Sequence, residues 1–377
     1  MLSYRFITVL LVLLTCSTAS FGQYWKKVTL PSQYTNGYWL DIYFLPSNPN
    51  YGWAVDQVGG YVIRTTDGGT SWQGTSVGSG RHLEYVQFLD TQNGYVTGPS
   101  GAWKSTDGGV TWTSMLPAGA QVWGGWFRDV NNGWMTGGTC GNNKFYRTQD
   151  GGQSWTTFTN TTRTQSKLSD PLWTSDMPAN HVYAIGNQTL WRSTDDGATW
   201  DVFANVGATN PWMEEIAKFG NSWLVPMSPD GCAPGTNDAG MRFSEDNGST
   251  WRQFITGKQM FGTHLVSAQA GWAAGYNRGV YYTSDGGRNW QERVCGIDAG
   301  EAMDDVFFID ADRGWVAGDN IYRLVPPEAE FSKDRMAFST VCPDSVKQDT
   351  VWITNKNFFA AGLTAALGGT EIGRAHV

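Results

Sequence analysis

From about residue 39 to residue 325, short apolar runs alternate with turn residues in a unit that recurs roughly every 40 positions. Each unit reads as an apolar strand, a turn, a strand opening with Gly and an aromatic residue, a short loop, a third strand, a polar turn, and a fourth strand opening with Trp. The second unit shows it well: residues 83–89, then Gly94-Tyr95-Val96, then Ala102-Trp103-Lys104-Ser105, then the polar turn and Trp112. The Gly-aromatic step returns at Gly52-Trp53, Gly133-Trp134, Gly271-Trp272 and Gly314-Trp315. No long helix is expected. Four antiparallel strands per unit, repeated radially, predict an all-β propeller.

The polar turn is the most regular part of the unit. Six copies read Ser/Thr-x-Asp-x-Gly-x-x-Trp, with aspartates Asp67, Asp107, Asp150, Asp195, Asp246 and Asp285 spaced 40, 43, 45, 51 and 39 residues apart. Their tryptophans are Trp72, Trp112, Trp155, Trp200, Trp251 and Trp290. The carboxylate can accept backbone N–H bonds across a hairpin, the glycine supplies positive φ, and the Trp buries apolar surface against a neighbour. Six carboxylates on six separate blades cannot converge on one substrate, and no EF-hand spacing surrounds them, so their predicted role is structural and no metal is expected.

Strands outnumber turns by one blade. Residues 302–324 hold three further strands without a polar turn, and the missing fourth is matched by Tyr24-Trp25-Lys26-Lys27-Val28, which resembles Trp200-Asp201-Val202-Phe203. The expectation is seven four-stranded blades over residues 23–325, with the N-terminal strand closing the ring and removing an open edge.

The repeated turn identifies the chain as similar to Asp-box, or bacterial neuraminidase repeat, propellers, a group that includes sialidases, sortilin luminal domains and xyloglucan-active hydrolases. The spacing near 40, the Gly-aromatic second strand and the seven blades most resemble the photosystem II assembly-factor-like members. That resemblance covers residues 24–324 and implies a scaffold that binds a client. Those relatives use a basic surface, whereas this chain carries a formal net charge of −8. The basic residue three positions before the aspartate, at Arg64, Lys104, Arg147 and Arg192, is expected to form surface ion pairs.

An acidic chain lacks the clustered Lys and Arg that neutralise phosphate, which weighs against nucleic-acid binding. Arg5, an apolar run to Leu14 and small residues up to Gly22 read as a secretory signal peptide over residues 1–22, too short to span a bilayer. The expected location is therefore outside the cytoplasm, secreted or at the cell surface, with periplasmic transit allowed. Residues 328–371 alternate like part of an immunoglobulin-like sandwich and resemble abnormal-spindle/hydin-like domains. Residues 372–377, Ile-Gly-Arg-Ala-His-Val, match a translated sequencing adapter, and read-through is expected there.

Four cysteines lie beyond Cys16, and four allow three pairings. Two longer loops, 137–143 and 229–240, hold Cys140 and Cys232, and Cys295 falls in a blade-joining loop beside the second, so Cys232–Cys295 is the preferred bridge. No cofactor motif is present.

With the polar turns on one face, the starts of the inner strands lie on the other. That face is expected to collect Trp39, His82, Glu84, Trp123, Trp173, Trp212, Glu214, His264, Glu301 and Asp304 around a central opening suited to a sugar or a peptide. The expected function is a non-catalytic, monomeric scaffold for an extracellular protein or polysaccharide. The alternative is a glycoside hydrolase, sialidase-like or glucan-active. Arg81, Arg128 and Arg278 supply the number of arginines a sialidase needs, but no Arg-x-Pro segment opens the first blade.

Overall fold

The computed structural model describes residues 23–325 except 117–120, 140–141, 161–167, 173, 187–188, 207–211 and 230–238, together with short strand segments further on. Residues 24–325 form one compact unit built of seven four-stranded antiparallel sheets. Six blades run in plain sequence order, the first being Trp39–Phe44, Gly52–Asp56, Tyr61–Thr65 and Gln73–Ser76. The seventh takes Met303–Phe308, Gly314–Gly318 and Tyr322–Val325 and borrows Tyr24–Lys27 as its outer strand, in the register Tyr24↔Val325 to Lys27↔Tyr322. The expected closure by the N-terminal strand is what the chain adopts. Residues 328–371, read as a partial sandwich, lie mostly outside the described residues; the strand pair Ala329–Phe331 and Met336–Phe338 belongs to a second unit.

The hydrophobic core is divided into layers between neighbouring blades. Among the described residues seven buried clusters occur, and each joins two consecutive sheets. The Gly-aromatic step explains how four of these layers pack. The aromatic residue of one blade stacks flat on a Phe from the inner strand of the next: Trp53 on Phe88 at 3.6 Å, Tyr95 on Phe127 at 3.5 Å, Trp272 on Phe308 at 4.5 Å and Trp315 on Phe44 at 3.5 Å. The glycine leaves room for the Phe of its own blade's inner strand, the one that the preceding blade's aromatic residue covers. A Cβ on Gly94 would lie 2.3 Å from the Phe88 ring. Gly94→Ala is therefore expected to destabilise by about 1–3 kcal/mol through overpacking, read as a lower urea midpoint.

The six polar turns share one hydrogen-bond pattern. In the second, Ser105 Oγ donates to Asp107 Oδ1 (2.8 Å) and accepts from Gly109 N (2.8 Å), while Thr111 N donates to Oδ1 (2.9 Å) and Thr111 Oγ1 to Oδ2 (2.6 Å). Each turn also ties back to the first hairpin of its own blade, as Gly108 N donates to Gln92 O (2.9 Å). Asp67, Asp150 and Asp246 are held down at about 2, first by the hydroxyls of Ser71, Ser154 and Thr250 and then by backbone amides.

The basic residues ahead of the turns mostly act differently from expectation. Lys104 Nζ reaches Gly151 O (3.5 Å) in the next blade's turn, and Arg323 in blade seven likewise reaches Gly68 O (3.3 Å). Among the described residues Arg147 alone of the four forms the expected ion pair, with Asp196 at 2.9 Å, and Arg192 lies over the Phe203 ring. A cation reaching forward meets carbonyl oxygens of the following turn, because that turn projects over the blade junction.

Candidate functional site

The inner strands all begin on the face opposite the polar turns, and four of them carry a β-bulge at the same place. Pairing passes from Trp39 to Asp41, Val122 to Gly124, Met260 to Gly262 and Met303 to Asp305, which leaves Leu40, Trp123, Phe261 and Asp304 as extra residues. Blade two achieves the same with Glu84, whose amide donates to Thr97 O (2.8 Å) just ahead of Tyr85, paired with that residue. A bulge re-aims a side chain that the regular pleat would send elsewhere. Glycine opposite the bulge permits the close approach; a Cβ on Gly137 would lie 2.1 Å from Gln121 O.

Together these positions build a cup at the ring axis. Its lining is Leu40, Asp41, Glu84, Tyr85, Trp123, Glu214, Glu215, Phe261, Gly262 and Asp305, and with the solvent at its mouth it encloses about 410 Å³. A belt of rings surrounds it, each edge-on to the next: His82 to Trp123 (6.4 Å), Trp123 to Trp212 (6.4 Å), Trp212 to Phe261 (6.5 Å) and Phe261 to Tyr276 (4.7 Å).

The carboxylates beneath the belt have two kinds of surroundings. Asp305 accepts from Ile42 N (2.9 Å), Asp41 from Val86 N (2.6 Å) and Glu215 from Thr263 N, each bond crossing a blade junction. Gln87 does the same for blade three, accepting from Phe127 N at 2.7 Å and donating to Phe127 O at 3.0 Å. These side chains stitch inner strands that share no backbone ladder. Asp304 accepts from the Tyr38 hydroxyl (3.1 Å), and burial, with the Glu84 and Asp305 carboxylates near it, pushes its carboxyl well above the usual range. Burial likewise pushes Asp305 up. Glu84 Oε1 stands 2.7 Å from His82 Nε2.

Of the residues expected on this face, Glu84, Trp123 and Glu214 line the cup, His82 and Trp212 stand in the belt, and Asp304 sits beside Glu84. Three readings need correction. Trp39 is 1% exposed and packs in the layer between blades seven and one, because its side chain precedes the bulge and points along the regular pleat. His264 packs against Phe307 at 4.9 Å between blades six and seven, where burial lowers its imidazole to about 4 and keeps it neutral. Glu301 accepts from Asn320 Nδ2 (2.8 Å) and lies 3.5 Å from Lys27, away from the cup lining. Trp173 lies outside the described residues.

Asp41, Tyr85, Glu215, Phe261 and Asp305 were not anticipated. The signal for the acids was present, since Asp41 and Asp305 interrupt the apolar runs Trp39–Phe44 and Met303–Phe308. Cys295 stands in a disulfide, while Cys232 and Cys140 lie outside the described residues. The strands Gly133–Thr139 and Asn142–Thr148 extend further into 137–143 than the loop reading allowed, because the blade-three hairpin stays paired to Thr139↔Asn142.

The arginines a sialidase would need do not converge. Arg128 is bound to Asp196 (2.8 Å) and Ala179 O (2.6 Å) on the polar-turn side, while Arg278 Nη2 donates to Val294 O (3.1 Å) in the connection between blades six and seven. Among the described residues no cluster of three or more His, Cys, Asp or Glu has the arrangement to hold a metal. No helix among them is long and apolar enough to cross a membrane.

No protein-family model matches the chain, and no curated protein does. Solved structures do. YCF48 bound to D1 peptide superposes with a TM-score of 0.60 at 19% identity, over 80% of this chain and 96% of that one. YCF48 from Cyanidioschyzon merolae gives 0.61 at 20% identity, over 80% and 98%. An ancestral GH74 enzyme gives 0.63 at 17% identity, covering 85% of this chain but 47% of the enzyme. At these identities the likeness is one of fold: the chain is a seven-bladed, four-stranded propeller similar in structure to YCF48.

Proposed function

We propose that the protein is an exported, non-catalytic binding scaffold whose axial cup holds part of an extracellular protein or polysaccharide. The observation that carries this reading is the repeated bulge, which turns Leu40, Trp123 and Phe261 toward one opening instead of into the blade layers, with Glu84 reaching it from the lead-in to the blade-two inner strand. Fold likeness to a propeller solved with a bound peptide supports it, as does the similar length of the two propellers. Residues 1–22 would direct export, and residues 328–371 would begin a second, sandwich-like domain.

Glycoside hydrolysis is the second reading, favoured by the grouped carboxyls and by the GH74 likeness. Three of those carboxyls already hold amides of neighbouring strands, which argues for a structural duty. The test is to incubate the mature chain with fluorogenic sialosides, xyloglucan and β-glucans while measuring binding of the same glycans and of short peptides. The expected result is saturable binding, lost in Trp123→Ala and Trp212→Ala, without product release. Turnover that disappears in Asp304→Asn would replace this reading with the hydrolase.

A further inference from the structure

We infer that the axial cup receives a single arginine side chain of a protein partner, inserted end-on. This rests on the binding reading and names the class of ligand. Charge complementarity is the first argument. Asp41, Glu84, Glu214 and Glu215 line the cup beside Asp305, whose own charge burial disfavours, and among the described residues none of the lining is Lys, Arg or His, so the low-dielectric walls focus a negative potential on the opening.

The second argument is the shape of the aromatic rim. A polysaccharide lies lengthwise on flat aromatic platforms, ring face to ring face. Here the rings stand edge-on to their neighbours, at 78° between Trp123 and Trp212, 69° between Trp212 and Phe261 and 61° between Phe261 and Tyr276. They form a collar around a hole and present no continuous platform. A guanidinium suits a collar, since its planar fork can meet two carboxylates while its face lies on an aromatic wall. An ammonium lacks the plane and the fork.

The third argument is access. Among the described residues the lining comes from inner strands or lead-in segments of blades one, two, three, five, six and seven, which leaves the axis as the approach for a ligand. An extended side chain on a docked protein fits that approach.

The test uses the mature chain and the pentapeptides Gly-Ser-Arg-Ser-Gly, its citrulline analogue and its lysine analogue, followed by tryptophan indole N–H shifts in NMR. The Arg peptide is expected to bind at roughly millimolar affinity, to weaken at least about 10-fold on replacement by citrulline, which keeps the shape and removes the charge, and to weaken with added salt. Lysine should bind less tightly than arginine. Glu84→Gln in the protein should reproduce the citrulline loss while thermal unfolding stays cooperative. Equal binding of Arg and citrulline peptides, or no saturable shift with any of them, overturns the inference. Binding of a xyloglucan oligosaccharide at Trp123 without an Arg preference overturns it while leaving the scaffold reading intact, and glycan turnover overturns the scaffold reading itself.

Discussion

Replacing Trp25 by alanine is expected to lower the stability of the ring by about 3–5 kcal/mol, the range for emptying a buried tryptophan site. Trp25 is 2% exposed and stands edge-on to Trp272 (5.9 Å) and Phe308 (6.2 Å), in the layer between blades six and seven. Its indole N–H donates to Arg293 O (2.7 Å) and its backbone N–H to Cys295 O (2.9 Å). The side chain thus holds the closing strand to the last blade and to the preceding connection at once. Truncation leaves a cavity, an unmet carbonyl and a frayed fourth strand, so the loss should exceed that of any single inter-blade Phe. Urea unfolding monitored by fluorescence checks it, with Lys26→Ala, an exposed neighbour, as the comparison. A Trp25→Ala change within about 0.5 kcal/mol of the parent, the size expected of surface substitutions, would mean that the ring does not depend on its closing strand.

The second large effect concerns pH, and two groups of aspartates work in opposite directions. Asp304 and Asp305 have folded-state values above those of the unfolded chain, because burial disfavours their charge. Below about pH 4 both states are protonated and these groups contribute no pH dependence. As pH rises past that point the unfolded chain ionises first, so stability falls until the buried carboxyls ionise too. The slope approaches about 1.4 kcal/mol per pH unit for each such proton. Asp304→Asn, which keeps an oxygen for the Tyr38 hydroxyl, should therefore flatten the decline on the neutral side and raise stability at pH 7. The turn aspartates Asp67, Asp150 and Asp246 lie at about 2, so their stabilisation is present above about pH 4 and is lost as pH falls through 2. Stability measured from pH 2 to 8 should peak in the mildly acidic range. A profile for Asp304→Asn parallel to the parent's across pH 4–8 would show that Asp304 ionises normally.

The turn chemistry was legible because it is local. Ser/Thr, Asp and Gly within five positions satisfy one another's donors and acceptors, whatever surrounds them. One part was overlooked: position four after the aspartate is Ser71, Thr111, Ser154, Thr199, Thr250 or Asn289, always a side-chain donor, and in every turn it bonds the second carboxylate oxygen. Alignment of the six copies would have revealed it. The binding face was legible only in part, since Glu84, Trp123 and Glu214 line the cup while Trp39, judged by its place at the start of an inner strand, is in the core. Strand alternation predicts which side of a sheet a residue takes, and one extra residue reverses that prediction.

By itself the amino-acid sequence determined the period, the strand count, the hairpin corners and the need for an N-terminal strand to complete the last blade. The first three follow from backbone turn preferences and apolar patterning within about 50 residues, the scale of one repeat unit, and the fourth from counting strands against turns along the whole chain. The tertiary structure alone decided which side chains reach the axis, because bulge positions depend on how each inner strand registers with its neighbour. It also decided the state of the central carboxyls. Asp304 meets Glu84 and Tyr38 from segments 220 and 266 positions away in the chain, and only ring closure gives it the burial that disfavours its charge.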